Sequence, residues 1–257
     1  MMNAKLATEM PQQTDAAPEL QLKSHGILWV LLALYACARV LQVYPGTIPM
    51  PVVVALHVFP PAIFAFIHGA RLYRIRGVLT FVAITFGIGF LIENLGVHTG
   101  FPFGRYYFTD PMGAKVGVVP VMLGLAYVGM AYLSWTLARV IAGWTRNSLR
   151  GSHAVAIPAL AARIMVSWDL SLDPVWSTVL HAWMWRDGGA YFGVPITNFL
   201  GWFLTVSLIY LFFALYLRKE PTHAELSPRH WRQAVIFYGI PLPEITSCFF
   251  RRTDFQL

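Results

Sequence analysis

The sequence predicts an all-α protein, a polytopic transmembrane helical bundle with about six spans, or seven if a weaker C-terminal stretch also crosses. Three observations carry that prediction. Apolar and aromatic residues make up 57% of the 257 residues and charged residues only 12%, against ~25% charged in soluble globular domains. A soluble protein so composed lacks the polar side chains to cover its surface. The apolar residues also gather into long runs separated by short polar breaks, with a mean hydropathy of +0.57. Finally, Lys and Arg sit mostly at the ends of those runs, where membrane orientation needs them.

Residues 1–26 are polar and include Pro11, Gln12, Gln13 and Pro18, which predicts a disordered tail rather than a signal peptide. The transmembrane domain is expected over 27–217. Its apolar runs are Ile27 to Val43, Val52 to Ala70, Val78 to Leu95, Val119 to Ala142, Ala154 to Leu172 and Ile196 to Leu217. Each is near the ~20 residues that cross ~30 Å of hydrocarbon. Helices are expected because a lipid-exposed backbone must satisfy its own hydrogen bonds. The basic tail 218–257 contains a weaker apolar stretch, Ala234 to Ile240, broken by Gly239, Pro241 and Pro243, and too short to span. An interfacial helix is expected there.

An even number of spans puts the N-terminal tail, the second and fourth connections and the C-terminal tail on one side, with 13 Lys and Arg residues. The other side has 3, namely Arg105, Lys115 and Arg186. The split predicts cytoplasmic termini and, in a bacterium, the inner membrane. The net charge of +7 comes with no basic stripe of polar readers, so no nucleic acid partner is expected. Cys37 and Cys248 have no partner at metal-ligand spacing. Neither a disulfide nor a thiol metal site is expected.

The chemistry-bearing residues cluster at the non-cytoplasmic ends of the helices. One stretch reads E-N-L-G-V-H-T-G-F-P-F-G-R-Y-Y-F-T-D from Glu93 to Asp110. A second reads W-D-L-S-L-D-P from Trp168 to Pro174, and a third W-M-W-R-D-G-G-A-Y-F-G-V-P-I-T-N-F-L-G-W from Trp183 to Trp202. The topology brings Glu93, His98, Asp110, Asp169, Asp173, Asp187 and Asn198 toward one chamber. Carboxylates at membrane depth are costly and mark function by default. Asp169 and Asp173 stand at i and i+4, ~6 Å apart along a helix. Two carboxyls so placed in low dielectric do not both ionise, which leaves one as an acid and the other as a base.

Structural readings stand beside these. Asp173 precedes Pro174 and fits the N-cap of a following short helix. Glu93 fits an ion pair with Arg39 or Arg163, His98 fits a satisfied turn histidine, and Asp110 before Pro111 fits a turn former. Tyr106, Tyr107, Trp183 and Trp185 fit an interfacial aromatic belt. His57, His68, His98 and His181 contain no pair three or four residues apart, which argues against a di-iron oxygenase. Gly87 and Gly89 lie inside an apolar run rather than in a dinucleotide-binding turn. No G-x-S-x-G nucleophile elbow occurs. What remains is acid and base chemistry beside aromatic rings, without metal or cofactor, on something dissolved in the bilayer. Hydration of a trisubstituted alkene suits such a site, with aromatic faces stabilising the cation.

The E-N-L-G-x-x-T-G-F-P-F-G-R-Y-Y-F stretch, Val119 to Val121, the D-x-S-L-D-P element and the W-x-W-x-D-G-G-x-Y-F-G-V-P-x-x-N-F-x-G-W run resemble the carotenoid biosynthesis membrane proteins, a family that includes the CruF-type carotenoid hydratases. The resemblance covers roughly residues 77–217. It implies hydration of the terminal C1=C2 double bond at an acyclic ψ end of a carotenoid such as lycopene or γ-carotene, with no redox cofactor. Carried onto this chain, Glu93, Asp169 and Asp173 take the acid and base roles. Asn94, His98, Arg105, Tyr106, Tyr107, Trp183, Trp185, Asp187 and Asn198 order water or line the substrate pocket. The implied partners are the carotenoid, the lipid bilayer and other enzymes of carotenoid biosynthesis. Two other readings remain open. One is a non-catalytic carotenoid-binding or scaffold protein; the other is an end-group enzyme such as a cyclase, which must keep water from the cation.

Overall fold

The computed structural model describes residues 16–42, 48–146, 148–220 and 226–240, with side chains of the first helix described over 26–40. Helix α1 runs Ala16–Gln42. It therefore begins well before Ile27, because Pro18 falls in its first turn, where a missing N–H costs no hydrogen bond. The strong helix formers Glu19 to Lys23 follow. Of the disordered tail expected over residues 1–26, residues from Ala16 on are helical instead, and the first fifteen lie outside the described ones, as does Cys248.

The next helical segment, Met50–Thr99, is broken at Arg74, whose φ of 58° and ψ of 171° are not helical. We call the two arms α2 (50–73) and α3 (75–99). A Cβ built on Gly69 would lie 3.0 Å from the Val78 side chain. Nine residues of straight helix would separate these positions by ~13 Å, so the chain folds back on itself at Arg74. The turn depends on Gly77, where a Cβ would stand 2.6 Å from that of Tyr73. The second connection is thus a helical hairpin with almost no loop.

Helices α4 (Val121–Ile141), α5 (His153–Pro174) and α6 (Ile196–Leu217) follow. Helix α5 continues without a break into a π-helical turn, Val175–Val179. Four helical segments, Met50–Thr99, Val121–Ile141, His153–Val179 and Ile196–Leu217, are long and apolar enough to cross a membrane; Gly26–Val40 is a shorter apolar helix. Among the described residues each predicted apolar run falls mainly on a helical segment, although Val119 and Pro120 belong to a short strand ahead of theirs, and the protein is an all-α membrane protein.

A small cap covers one end of the bundle. Strand β1 (Tyr106–Phe108) pairs antiparallel with β4 (Trp183–Trp185), in the register Tyr106 to Trp185 and Phe108 to Trp183. Strands β2 (Lys115–Val116) and β3 (Val119–Pro120) form a second pair. The third and fifth connections, both rich in Gly and aromatics, are therefore the two halves of one cap.

The C-terminal stretch forms helix α7, Pro228–Gly239. One face packs against the other helices, while Arg229, Arg232 and Ile236 on its other face are exposed. Phe237 is fully buried and stacks on Tyr35 of α1 with ring centroids 5.1 Å apart. The Tyr238 hydroxyl donates to the Ile164 carbonyl at 2.7 Å, and His68 reaches the His230 carbonyl at 2.8 Å. Trp231, Ala234 and Phe237 bury one face against protein, together with His230 and Gln233.

Candidate functional site

Beneath the cap lies a cavity with about 770 Å³ of empty space including its mouth. Helix α5 supplies its polar wall. Met165, Trp168, Asp169, Leu172, Asp173 and Trp176 all line it, at spacings of three and four residues that put them on one helix face. Because α5 stays helical through Pro174, Asp173 is not the cap of a new helix. Its carboxylate is instead bound from two other elements. The Trp183 indole N–H of β4 donates to Oδ1 at 2.8 Å, and the Asn198 amide of α6 donates a short bond to Oδ2. The same Asn198 nitrogen lies 3.3 Å from Asp169 Oδ2. One amide thus bridges the two aspartates.

Glu93 enters from α3 and is 4% exposed. It is not paired with Arg39 or Arg163, as one sequence reading allowed. Its Oε1 accepts a short hydrogen bond from the Tyr127 hydroxyl of α4, and its Oε2 accepts from Tyr106 of β1. Arg163 is exposed and donates to the Ala159 carbonyl, while Arg39 bonds to His57. Burial and the neighbouring Glu93 carboxyl push the Tyr106 phenol well above its ordinary range, which keeps it a donor. Tyr127 stacks on Trp202 with centroids 4.4 Å apart at 15°. Phe103, Phe108, Met112 and Met130 complete much of the apolar lining.

Strand periodicity decides which cap residues reach the cavity. Tyr106 and Phe108 point inward and are buried, whereas Tyr107 between them is 43% exposed. Trp183 and Trp185 face the cavity, so they belong to its wall rather than to an interfacial belt. Of the predicted residues, Glu93, Asp169, Asp173, Tyr106, Trp183, Trp185 and Asn198 therefore come together.

Five others stand outside the cavity. Tyr107 points away and lies under the Arg186 guanidinium, 5.5 Å from its ring. Asn94 braces the second strand pair, accepting from the Val118 N–H at 3.2 Å and donating to the Phe90 carbonyl at 2.7 Å. Arg105 and Asp187 form an exposed ion pair, with Arg105 Nε 2.7 Å from Asp187 Oδ2. The hydrogen bond and charge hold the Arg105 pKa above and the Asp187 pKa below their usual ranges. His98 is exposed in the last turn of α3. Their short distance from Glu93 or Trp185 in sequence hid the fact that they project from the opposite side of helix or strand. Asp110 opens a short 3₁₀ turn, and its carbonyl accepts from the Gly113 N–H at 2.9 Å, as expected of a turn former.

Sequence reasoning missed Tyr127, Trp202, Trp168, Trp176 and His57 as cavity residues. The α5 members were detectable, because Trp168 and Trp176 share the period that places Asp169 and Asp173 on one face. Trp202 carried the same signal, standing four residues after Asn198 on one helix, whereas Tyr127 had none, since an aromatic within an apolar helix is usually packing. Among the described residues, no group of three or more His, Cys, Asp or Glu side chains is placed to hold a metal ion.

The fold and site define a helical membrane protein with a capped, aromatic cavity that holds three carboxyl groups. The chain belongs to the carotenoid biosynthesis protein family, whose pattern matches residues 50–239. It is also similar to a bisanhydrobacterioruberin hydratase from Haloarcula japonica, 29% identical over 139 residues, which is 54% of this chain and 45% of that protein. The chain thus spans less than half the length of this curated relative. No solved structure matches the chain.

Proposed function

We propose that the protein adds water to the terminal C1=C2 double bond of an acyclic carotenoid ψ end, without a cofactor. The observation that carries this reading is the meeting of Glu93, Asp169 and Asp173 in one buried, aromatic-lined cavity. The hydratase similarity of the Haloarcula japonica protein supports it. A polyene end is apolar and fits such a wall, while three carboxyl groups are far more polarity than a binding site for a hydrocarbon requires. A cyclase needs a dry site, and the polar α5 wall favours water.

Asp169 is the acid in this proposal. Its O–H bond breaks, the proton adds to C2, and the electrons of the double bond form the new C–H bond. The tertiary cation at C1 lies beside the aromatic faces of the cavity. Asp173, held by the Trp183 and Asn198 donors, is the carboxylate that takes a proton from water as the water oxygen bonds to C1. The proton then passes from Asp173 to Asp169, both within reach of the Asn198 amide, and the site is restored. Glu93, gripped by two phenols, contributes negative charge toward the cation.

The substrate is lycopene, γ-carotene or another carotenoid with a ψ end. The chain lies in a bacterial inner membrane with both termini cytoplasmic, according to the basic residue split, and hands its product to other carotenoid enzymes. The test is expression in a host that accumulates lycopene, followed by mass spectrometry of the pigments. A gain of one water per modified end is expected. Unmodified lycopene that co-purifies with the protein would favour a binding role instead.

A further inference from the structure

Trp168 and Trp176 line the cavity and are 7% and 4% exposed. Both indole N–H groups are buried without an acceptor among the described residues. Trp183 and Asn198 bind Asp173, and the Trp185 indole of the cap is buried without an acceptor as well; Trp168 and Trp176 are the two orphaned indoles on the helix that carries both aspartates. Buried polar groups in folded proteins are nearly always paired, so two orphaned donors on one cavity wall call for an oxygen that the protein does not itself supply. Their positions are informative. Trp168 precedes Asp169, Trp176 follows Asp173 by three residues, and all four share the cavity face of α5, so the indoles flank the carboxyl pair.

We propose that Trp168 and Trp176 form an oxygen-binding pair that holds the attacking water, and then the hydroxyl it becomes, against the Asp169–Asp173 pair. This deepens the hydratase reading and rests on it. An indole N–H donates and never accepts. It therefore fixes the oxygen while leaving both water protons free to face Asp173. Before attack the oxygen accepts from both indoles; as one of its lone pairs bonds to C1 that indole contact is given up, the other is kept, and Asp173 takes a proton from the same oxygen. The indole faces stay available to the cation. The pair thus positions the nucleophile and decides the fate of the cation, capture by water or loss of a proton.

That partition provides the test. In D₂O the acid delivers deuterium to C2. A cation that escapes capture loses a proton to a carboxylate and returns as an alkene, part of it carrying deuterium. Purified protein in lipid nanodiscs, given lycopene in D₂O, is assayed for hydrated product and for deuterium in recovered lycopene. Trp168→Phe and Trp176→Phe keep a ring in place and remove the N–H. Each is expected to raise the ratio of exchange to hydration about tenfold, the effect of losing ~1.4 kcal/mol of selectivity, while total protonation events change little. A purely structural role would lower both processes together and leave the ratio unchanged. Unchanged ratios in both variants overturn the proposal. If either variant fails to accumulate, the isosteric benzothienylalanine at the same position removes only the N–H and reads the same ratio. A parent chain that gives neither hydration nor exchange overturns the hydratase reading itself; hydration by the parent with unmoved variant ratios overturns the indole pair alone.

Discussion

Trp183 donates its indole N–H to Asp173 Oδ1 across 2.8 Å, joining the strand cap to the helix that carries the aspartate pair. The bond ties the position of a carboxylate to the closure of a loop ten residues further on. Asp173→Asn keeps the shape and removes the charge. It is expected to abolish hydration, with normal amounts of protein in the membrane fraction. Unchanged product would remove Asp173 from the reaction. Asp110→Asn, at an exposed turn, serves as the control and is expected to leave product levels as they are.

Tyr106 and Tyr107 are neighbours in sequence and opposites in space. Tyr106→Phe deletes a donor to Glu93 and is expected to lower the hydration rate at least tenfold, given the ~1.5–3 kcal/mol of a hydrogen bond to a charged group. Tyr107→Phe is expected to leave it within twofold. Pigment time courses for both variants compare them directly, and equal effects would contradict the strand alternation.

The Phe103 ring fills the space beside two glycines. A Cβ at Gly96 or at Gly201 would stand 2.6 Å from it, so alanine at either position forces the ring aside at a cost of ~1–3 kcal/mol. The Gly96 Cβ would also lie 3.1 Å from the Tyr106 hydroxyl. Thermal midpoints of both variants are therefore expected to fall alike, while Gly96→Ala loses more hydration activity than Gly201→Ala.

The exposed Arg105–Asp187 pair gives a pH signature independent of catalysis. Asp187 has its pKa lowered by Arg105, so the stabilisation is present above the unfolded aspartate value of ~3.9 and fades as pH falls through the lower folded value. Stability of Asp187→Asn is expected to lie below that of the parent near neutrality and to converge with it at pH values under ~4. Added salt is expected to shrink the same gap. A gap that widens in acid would reverse the sign of the linkage.

Most of the helical framework was legible, because long apolar runs have few other solutions in lipid. The hairpin at Arg74 was less so. Its position between two runs was plain, but the tightness of the turn depends on Gly77 accepting Tyr73 against its backbone. The aspartates, Glu93, Asn198 and the aromatics Tyr106, Trp183 and Trp185 could be gathered from topology alone. What topology does not supply is facing. Asn94 is beside Glu93 and Tyr107 beside Tyr106, yet each member of a pair meets a different environment. The packing of helix α7 was not legible, because nothing local reveals that Tyr35 and Phe64 are waiting for Phe237.

That last contact has a bearing on biogenesis. Helix α1 leaves the ribosome before the long apolar helices and α7 after them, so the surface around Tyr35 lacks Phe237 while everything between them is translated. Insertion of the spans and completion of the interior are consequently separate events in time. A nascent chain halted after Leu217 would hold every long apolar helix yet stay open along the inner seam that Phe237 closes against Tyr35 and Phe64.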